Sequence, residues 1–424
     1  MFKFRHIPAL ALAAMICGGT LHANFTLFDM AKDAMFIAKG EFVALQRTGI
    51  GDRLTLRCDS MIYGEMPANG HVTLEAFEPA PADEALGRPA IVAFNRINST
   101  FYFLHHPFSQ RGAFYFETDD VAPDGLVQSE RALRNFLAIN QPHWEAIRGE
   151  LRKRLQYGDA GYEGNFSVEL TNEWKSELLR QVTWTGTWAA RDAAKALVDH
   201  ALFKGRCTVE ELQLVGGVVP SSEVGSIGRA YMLELIRNEL SAHPQLPVLV
   251  AMVRQETSQA CLGKLSNLLV VIEDRAKVLA EMGAIITDAA ANDQMRCNAL
   301  QILQALRDPG GLVHVHGAVR AEMNRGASHS MPVLRRAFAA LKSTPNESNL
   351  PLIQDFQASE ICIASWELTR HAWVAFAMID SEATNQKLRD AFDAEPVVGR
   401  RQFLNSLMPE NKVYREMLII YPEK

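Results

Sequence analysis

The sequence predicts an α+β, multidomain protein in which a small N-terminal β-barrel or sandwich precedes an α-helical solenoid. Three observations carry the prediction. Residues 35–116 alternate apolar and polar side chains in short runs separated by turn clusters, the period of half-buried strands. From about residue 126 the pattern changes to long amphipathic stretches. Between residues 293 and 395 apolar positions recur every 38 residues, as they do in arrays of stacked units.

The strands come first. Phe36 to Leu45 is β-rich and interrupted by Gly40. Arg53 to Cys58 and His71 to Phe77 alternate cleanly. Pro89–Phe94, Ser99–Leu104 and Ala113–Phe116 complete the set as short apolar or aromatic runs. Turn clusters at Thr48–Asp52, Pro67–Gly70 and Pro79–Asp83 separate them, rich in the residues that tolerate turn geometry. In this order Lys39-Gly40-Glu41-Phe42-Val43, Leu54-Thr55-Leu56 and Ile62-Tyr63-Gly64 resemble the netrin-like or tissue-inhibitor-like OB barrel. The resemblance covers less than a quarter of the chain and implies a fold. In the metalloprotease inhibitors of that family a cysteine at the mature N-terminus ligates the target's zinc. The mature chain expected here would begin at Asn24, so that activity does not carry over.

The helices follow. Glu130–Leu155, Glu173–Phe203 and Ile227–Leu240 read as long helices. Ala299, Ala337 and Ala375 anchor the repeat. Four residues on stand Leu303, Leu341 and Ile379; thirteen on, Leu312, Leu350 and Leu388; sixteen on, Val315, Ile353 and Ala391. An i, i+4 pair shares one helix face, and the later pair shares a face of a second helix. A hairpin with two apolar faces cannot bury them alone, and stacking does. Asp308–Gly311, Ser343–Asn346 and Asp380–Glu382 fall between the helices as turns. Asp293 to Leu303, with its Arg, Ala-Leu and Leu spacing, resembles the first helix of a HEAT-like repeat. Fainter copies lie at Cys261/Leu265, Arg229-Ala230/Leu233 and Asp192-Ala193/Leu197.

The N-terminus reads as a secretory signal peptide. Lys3 and Arg5 precede an apolar run from Ile7 to Cys17, and small residues lead to a cleavage point after Ala23. The run is shorter than the roughly 20 residues that span a bilayer. Ala14-Met15-Ile16 before Cys17 fits a lipobox poorly, so a lipid anchor is the weaker reading. Cleavage removes two basic residues and no acids, taking the net charge from −6 to −8. Such a balance gives no basic footprint for nucleic acid. Cys58, Cys207, Cys261, Cys297 and Cys362 are widely spaced, without a CxxC or a Cys/His cluster. One disulfide is open to them after export. Sequons at Asn24, Asn98, Asn165 and Asn346 matter only in a glycosylating host.

Candidate chemistry is sparse. His314 and His316 flank Val315, and residues two apart on a helix point roughly 200° apart, so they read as rim histidines. His105 and His106, with Glu117, Asp119 and Asp120, offer metal-ligand types. Adjacent strand residues face opposite ways, so a polar loop edge is the plainer reading. Val224–Gly228 has a serine among glycines but not the order of a nucleophile elbow; Ser226 reads instead as a helix N-cap. Trp184 and Trp188, and Trp366 and Trp373, stand at helical spacings and read as core packing before any ligand ridge.

The domains expected are a signal peptide (1–23), a small β domain (24–122), a helical region with degenerate repeats (123–292), and repeats with a C-terminal helix (293–424). The function expected is an exported interaction or scaffold protein, periplasmic or extracellular. Its helical surface would bind a protein or peptide, with no catalytic, metal or cofactor residue assigned. The alternatives are an envelope hydrolase with its site where the β domain meets the helices, and a structural envelope component.

Overall fold

The computed structural model describes residues 26–48, 51–76, 86–97, 100–103, 114–116, 125–139 and 166–411. The expected signal peptide with Cys17 lies outside these residues. So do His105, His106, Glu117, Asp119 and Asp120, and the sequons at Asn24, Asn98 and Asn165. The chain divides into two compact units, Met1–Thr208 and Val209–Lys424.

The first unit holds six strands where the alternation expects them: β1 (Phe36–Thr48), β2 (Gly51–Tyr63), β3 (His71–Ala76), β4 (Pro89–Ile97), β5 (Thr100–Phe103) and β6 (Phe114–Phe116). Neighbours pair in the order β1-β2-β3-β5-β4-β6, and β4 also pairs with β1. The sheet therefore curls until its first five strands close a ring. All these pairings are antiparallel except β3 with β5. Register shifts between Ile37/Ala38, Lys39/Gly40 and Phe42/Ala44 bend β1, as bulges do. At Gly40 a Cβ would stand 1.9 Å from the Arg57 carbonyl oxygen, so only glycine fits there. Phe42, Leu54, Leu56, Val72 and Leu74 are buried on alternate positions. Ala90 through Phe94 are buried without alternation, because helix α2 (Gly125–Ala138) packs on the side of β2 and β4 that alternation would leave to solvent.

A short N-terminal helix, α1 (Leu27–Asp33), organises the rest of this unit. Thr26 and Asp29 form a reciprocal capping box at its start, which satisfies two otherwise orphaned N–H groups. The buried carboxylate of Asp192 accepts a further hydrogen bond from Leu27 N at 3.1 Å. Phe28 sits at the centre of an aromatic cluster. Its ring lies 5.6 Å from Phe136, 5.2 Å from Trp174, 5.2 Å from His200 and 5.0 Å from Phe203, all edge-on. The single helix expected over Glu173–Phe203 is two: α3 (Val168–Val182) and α4 (Trp188–Asp199). Gly186 takes φ +77 between them, and Thr187 caps α4 by accepting from Ala190 N at 3.1 Å.

The second unit is helical throughout its described residues. After α5 (Val209–Val218), one set of helices comprises α6 (Ile227–Ile236), α8 (Gln259–Val270), α10 (Asp293–Leu306), α12 (Met331–Ser343) and α15 (Trp366–Ala377). Each packs on the next of its set. A second set alternates with the first in sequence: α7 (Leu246–Gln255), α9 (Arg275–Thr287), α11 (Leu312–Arg325) and α13 (Leu350–Gln357). In this set α7 packs on α9 and α9 on α11. The short α14 (Glu360–Ala364) precedes α15, and α16 (Glu382–Ala394) and α17 (Val398–Ser406) end the described chain. This is a two-layer stack of helical hairpins.

The 38-residue register predicts burial well in its first two hairpins and less well in the third. Ala299, Ala337, Ala375, Leu303, Leu341, Leu312, Leu388, Val315 and Ile353 are buried. Leu350, Ile379 and Ala391 are only half-buried. Ala299 and Ala337 are each the seventh residue of their helices, whereas Ala375 is the tenth of α15. The drift of three residues keeps nearly the same helix face but pushes Ile379 past the helix end. There Asp380 takes φ +53 in the turn.

Two contacts show how tightly the hairpins are matched. Gly283 on α9 faces His314 on α11, and a Cβ at 283 would stand 2.2 Å from the imidazole. Further up the stack Arg229 and Glu256 form a buried ion pair, Nη1 to Oε2 at 3.2 Å. Arg229 Nε also donates to Ser222 Oγ at 3.0 Å, and Nη2 donates to the Ser222 carbonyl. The other oxygen of Glu256 accepts from Thr257 N and Ser258 N at 3.0 and 2.9 Å. Asn298 Nδ2 then donates to the carbonyls of Val253 and Glu256, each at 2.8 Å, joining α10 to the end of α7. Among the described residues no helix is long and apolar enough to cross a membrane.

Candidate functional site

The residues singled out in the sequence scatter. On α11 Val315 is buried, His314 packs against Gly283, and His316 Nε2 lies 2.7 Å from Asn349 Oδ1 beside the next hairpin. The two histidines thus serve opposite neighbours. Ser226 is the N-cap of α6 and accepts from Arg229 N at 3.1 Å. The four tryptophans differ from the core reading: all are half-buried. Arg131 and Arg180 each stack on Trp184 at 4.8 Å, Arg191 on Trp188 at 4.4 Å and Arg400 on Trp366 at 4.7 Å. A ring too large to bury at a helix end gains from a guanidinium laid over its exposed face. Trp373 instead meets Phe376 edge-on at 5.5 Å.

Among the described residues no group of three or more His, Cys, Asp or Glu side chains could hold a metal ion. The described cysteines are free thiols. Burial pushes Cys58, Cys261 and Cys297 up to about 11, so none is a ready thiolate at neutral pH.

What the second unit does offer is a groove of about 520 Å³ on the first helix layer, crossed by α8, α10, α12 and α15. Its lining falls into three kinds. Phe338, Ala339, Val374 and Pro332 give apolar surface. Arg335, Arg336, Lys342 and Arg370 give four cations, against the single carboxylate of Glu367 among the described residues. Gln259, Gln294, Cys297 and His371 complete it. The helices set this arrangement. Ala337 and Leu341 face the core, so Arg335, Ala339 and Lys342 turn towards the open side of α12. The position of Phe338 is fixed from below by the Phe356 ring, 4.7 Å away on α13.

The cations are not equivalent. Arg335 Nε contacts Glu367 Oε1 at 3.0 Å, and both side chains are about half-exposed. Arg370 stacks on Phe403 at 5.2 Å. Arg336 is half-buried beside the Cys297 thiol, and burial lowers its guanidinium from the ordinary arginine value. None of these basic residues stood out in the sequence. The register that marks Ala337 as buried also defines the opposite side of α12, and the basic residues there were the available signal. No protein-family profile, no curated protein and no solved structure matches this chain.

Proposed function

We propose that the chain is an exported, non-catalytic interaction protein that binds a protein or peptide through the first helix layer of its second unit. The observation that carries this reading is the groove across α8, α10, α12 and α15. A surface built from successive hairpins presents side chains at regular intervals, which suits an extended partner. The 38-residue register and the two-layer stack support assigning the hairpins to the HEAT-like kind. In the first unit the pairing ring β1-β2-β3-β5-β4, closing on β1, supports the OB-like reading of the barrel.

The test blocks the groove without touching the core. Ala339 is half-buried and lines the groove, so Ala339→Trp fills it. Wild type and variant are used as bait in envelope extract, with retention quantified by mass spectrometry and folding checked by thermal melt. The expected result is a partner retained by wild type and lost from a variant that still folds. Equal retention by both, or turnover on a panel of hydrolase substrates, overturns the proposal.

A further inference from the structure

We propose that the groove takes an acidic peptide segment of its protein partner, with Arg336 as the residue that receives a carboxylate. The inference rests on the docking reading above and adds the chemistry of what docks.

Three observations lead to it. The first is an imbalance at Arg336. Arg229 pairs with Glu256 at 3.2 Å, Arg254 with Asp288 at 2.8 Å, and Arg296 with Asp293 and Glu322 at 3.9 Å each, whereas half-buried Arg275, outside the groove lining, has no ion pair among the described residues. Among the described residues no carboxylate is within ion-pair distance of Arg336, and the neighbour its charge meets is the thiol of Cys297. A guanidinium taken partly out of water without a counter-charge is costly. Its planar fork matches a carboxylate bidentately, and an incoming Asp or Glu removes that cost.

The second observation is the sign of the groove. Arg335, Arg336, Lys342 and Arg370 line the groove, and among its described lining residues Glu367 is the one carboxylate, engaged by Arg335. A basic peptide would meet repulsion on most sides. The third is distribution. The cations lie on two successive helices of the layer, α12 and α15, and packed helices stand roughly 8–10 Å apart. An extended chain advances about 3.3 Å per residue, so carboxylates two to three residues apart reach both helices. The apolar floor at Pro332 and Ala339 receives the side chain between them. A free inorganic anion would use the charge and leave that floor empty.

The experiment is fluorescence anisotropy on the full chain with a fluorescein-labelled dodecapeptide of alternating glutamate and leucine. The comparison peptide carries glutamine in place of glutamate. The acidic peptide is expected to bind at least tenfold more tightly at low salt, with affinity falling as salt rises. Arg336→Met is expected to weaken it about tenfold and Arg336→Lys less. Arg389→Met, at an exposed pair with Glu410, is expected to change nothing. Equal binding of the two peptides overturns the inference, as does unchanged affinity in an Arg336→Met protein with a wild-type melt. Displacement of the peptide by equimolar phosphate or glutarate does so too, because the site is then one for a small anion. If Arg336→Met fails to fold, Arg336→Lys carries the comparison. Failure here, with the Ala339→Trp variant still losing its captured partner, removes the acidic specificity alone. An Ala339→Trp variant that retains everything wild type retains removes the docking reading itself.

Discussion

Two ionisable side chains show how differently burial can be resolved. His200 is half-buried against the aromatic cluster and is pulled down to about 4, first by burial and then by the Lys32 ammonium, against the opposing pull of Asp29. The neutral ring fits its surroundings, since Nδ1 accepts from Leu202 N at 3.2 Å. A folded-state value below the unfolded one, about 6.5, gives stability that is present above pH 6.5 and lost as pH falls towards 4. The loss is expected to approach about 3 kcal/mol for this group. Urea-unfolding midpoints should therefore fall across that window in wild type and less steeply in His200→Gln. Arg229 takes the other course and stays paired with Glu256 in the interior. Arg229→Met strands a buried carboxylate and is expected to cost about 3–5 kcal/mol. Adding Glu256→Leu should recover most of that loss, which a double-mutant denaturation cycle measures.

Among the elements, α1 does more than its seven residues suggest. Its helix is too short to stand alone, and it is held by the capping box, by Asp192 and by the four rings around Phe28. Phe28→Ala is expected to lower the stability of the first unit by about 3–5 kcal/mol, read by chemical denaturation. β2 and β3 were legible because one face of each is buried and alternation reports that directly, whereas β4, buried on both, shows instead as a short apolar run. The break at Gly186 was missed because α3 and α4 both keep helical periodicity, and only a turn of five residues separates them. The third hairpin drifted from its register because α15 begins 35 residues after the start of α12, whereas α12 begins 38 residues after the start of α10. Arg336 was not legible at all. That no carboxylate among the described residues stands within ion-pair distance of it is a fact of three dimensions, which no spacing along the chain encodes.

At the scale of the whole molecule, the second unit gains its stability from neighbours in series. Leu341 lies at the middle of that series and is fully buried. Leu341→Asp is expected to cost more than about 3 kcal/mol by burying an unpaired charge. Hydrogen exchange should quicken in α10, α12 and α15 before it does in the sheet, while Leu214→Asp, at a half-exposed position on α5, should leave both unchanged. Uniform acceleration everywhere would mean that the hairpins do not behave as a stack. The contact between Gly283 and His314 carries a consequence for how such a chain can vary over generations. The imidazole fills the space that any side chain at 283 would need. Alanine can enter at 283 only if the His314 ring moves aside or position 314 becomes smaller. The two positions, 31 residues apart in the chain, are therefore expected to change together, leaving a paired substitution as the inherited trace of one close approach between helices.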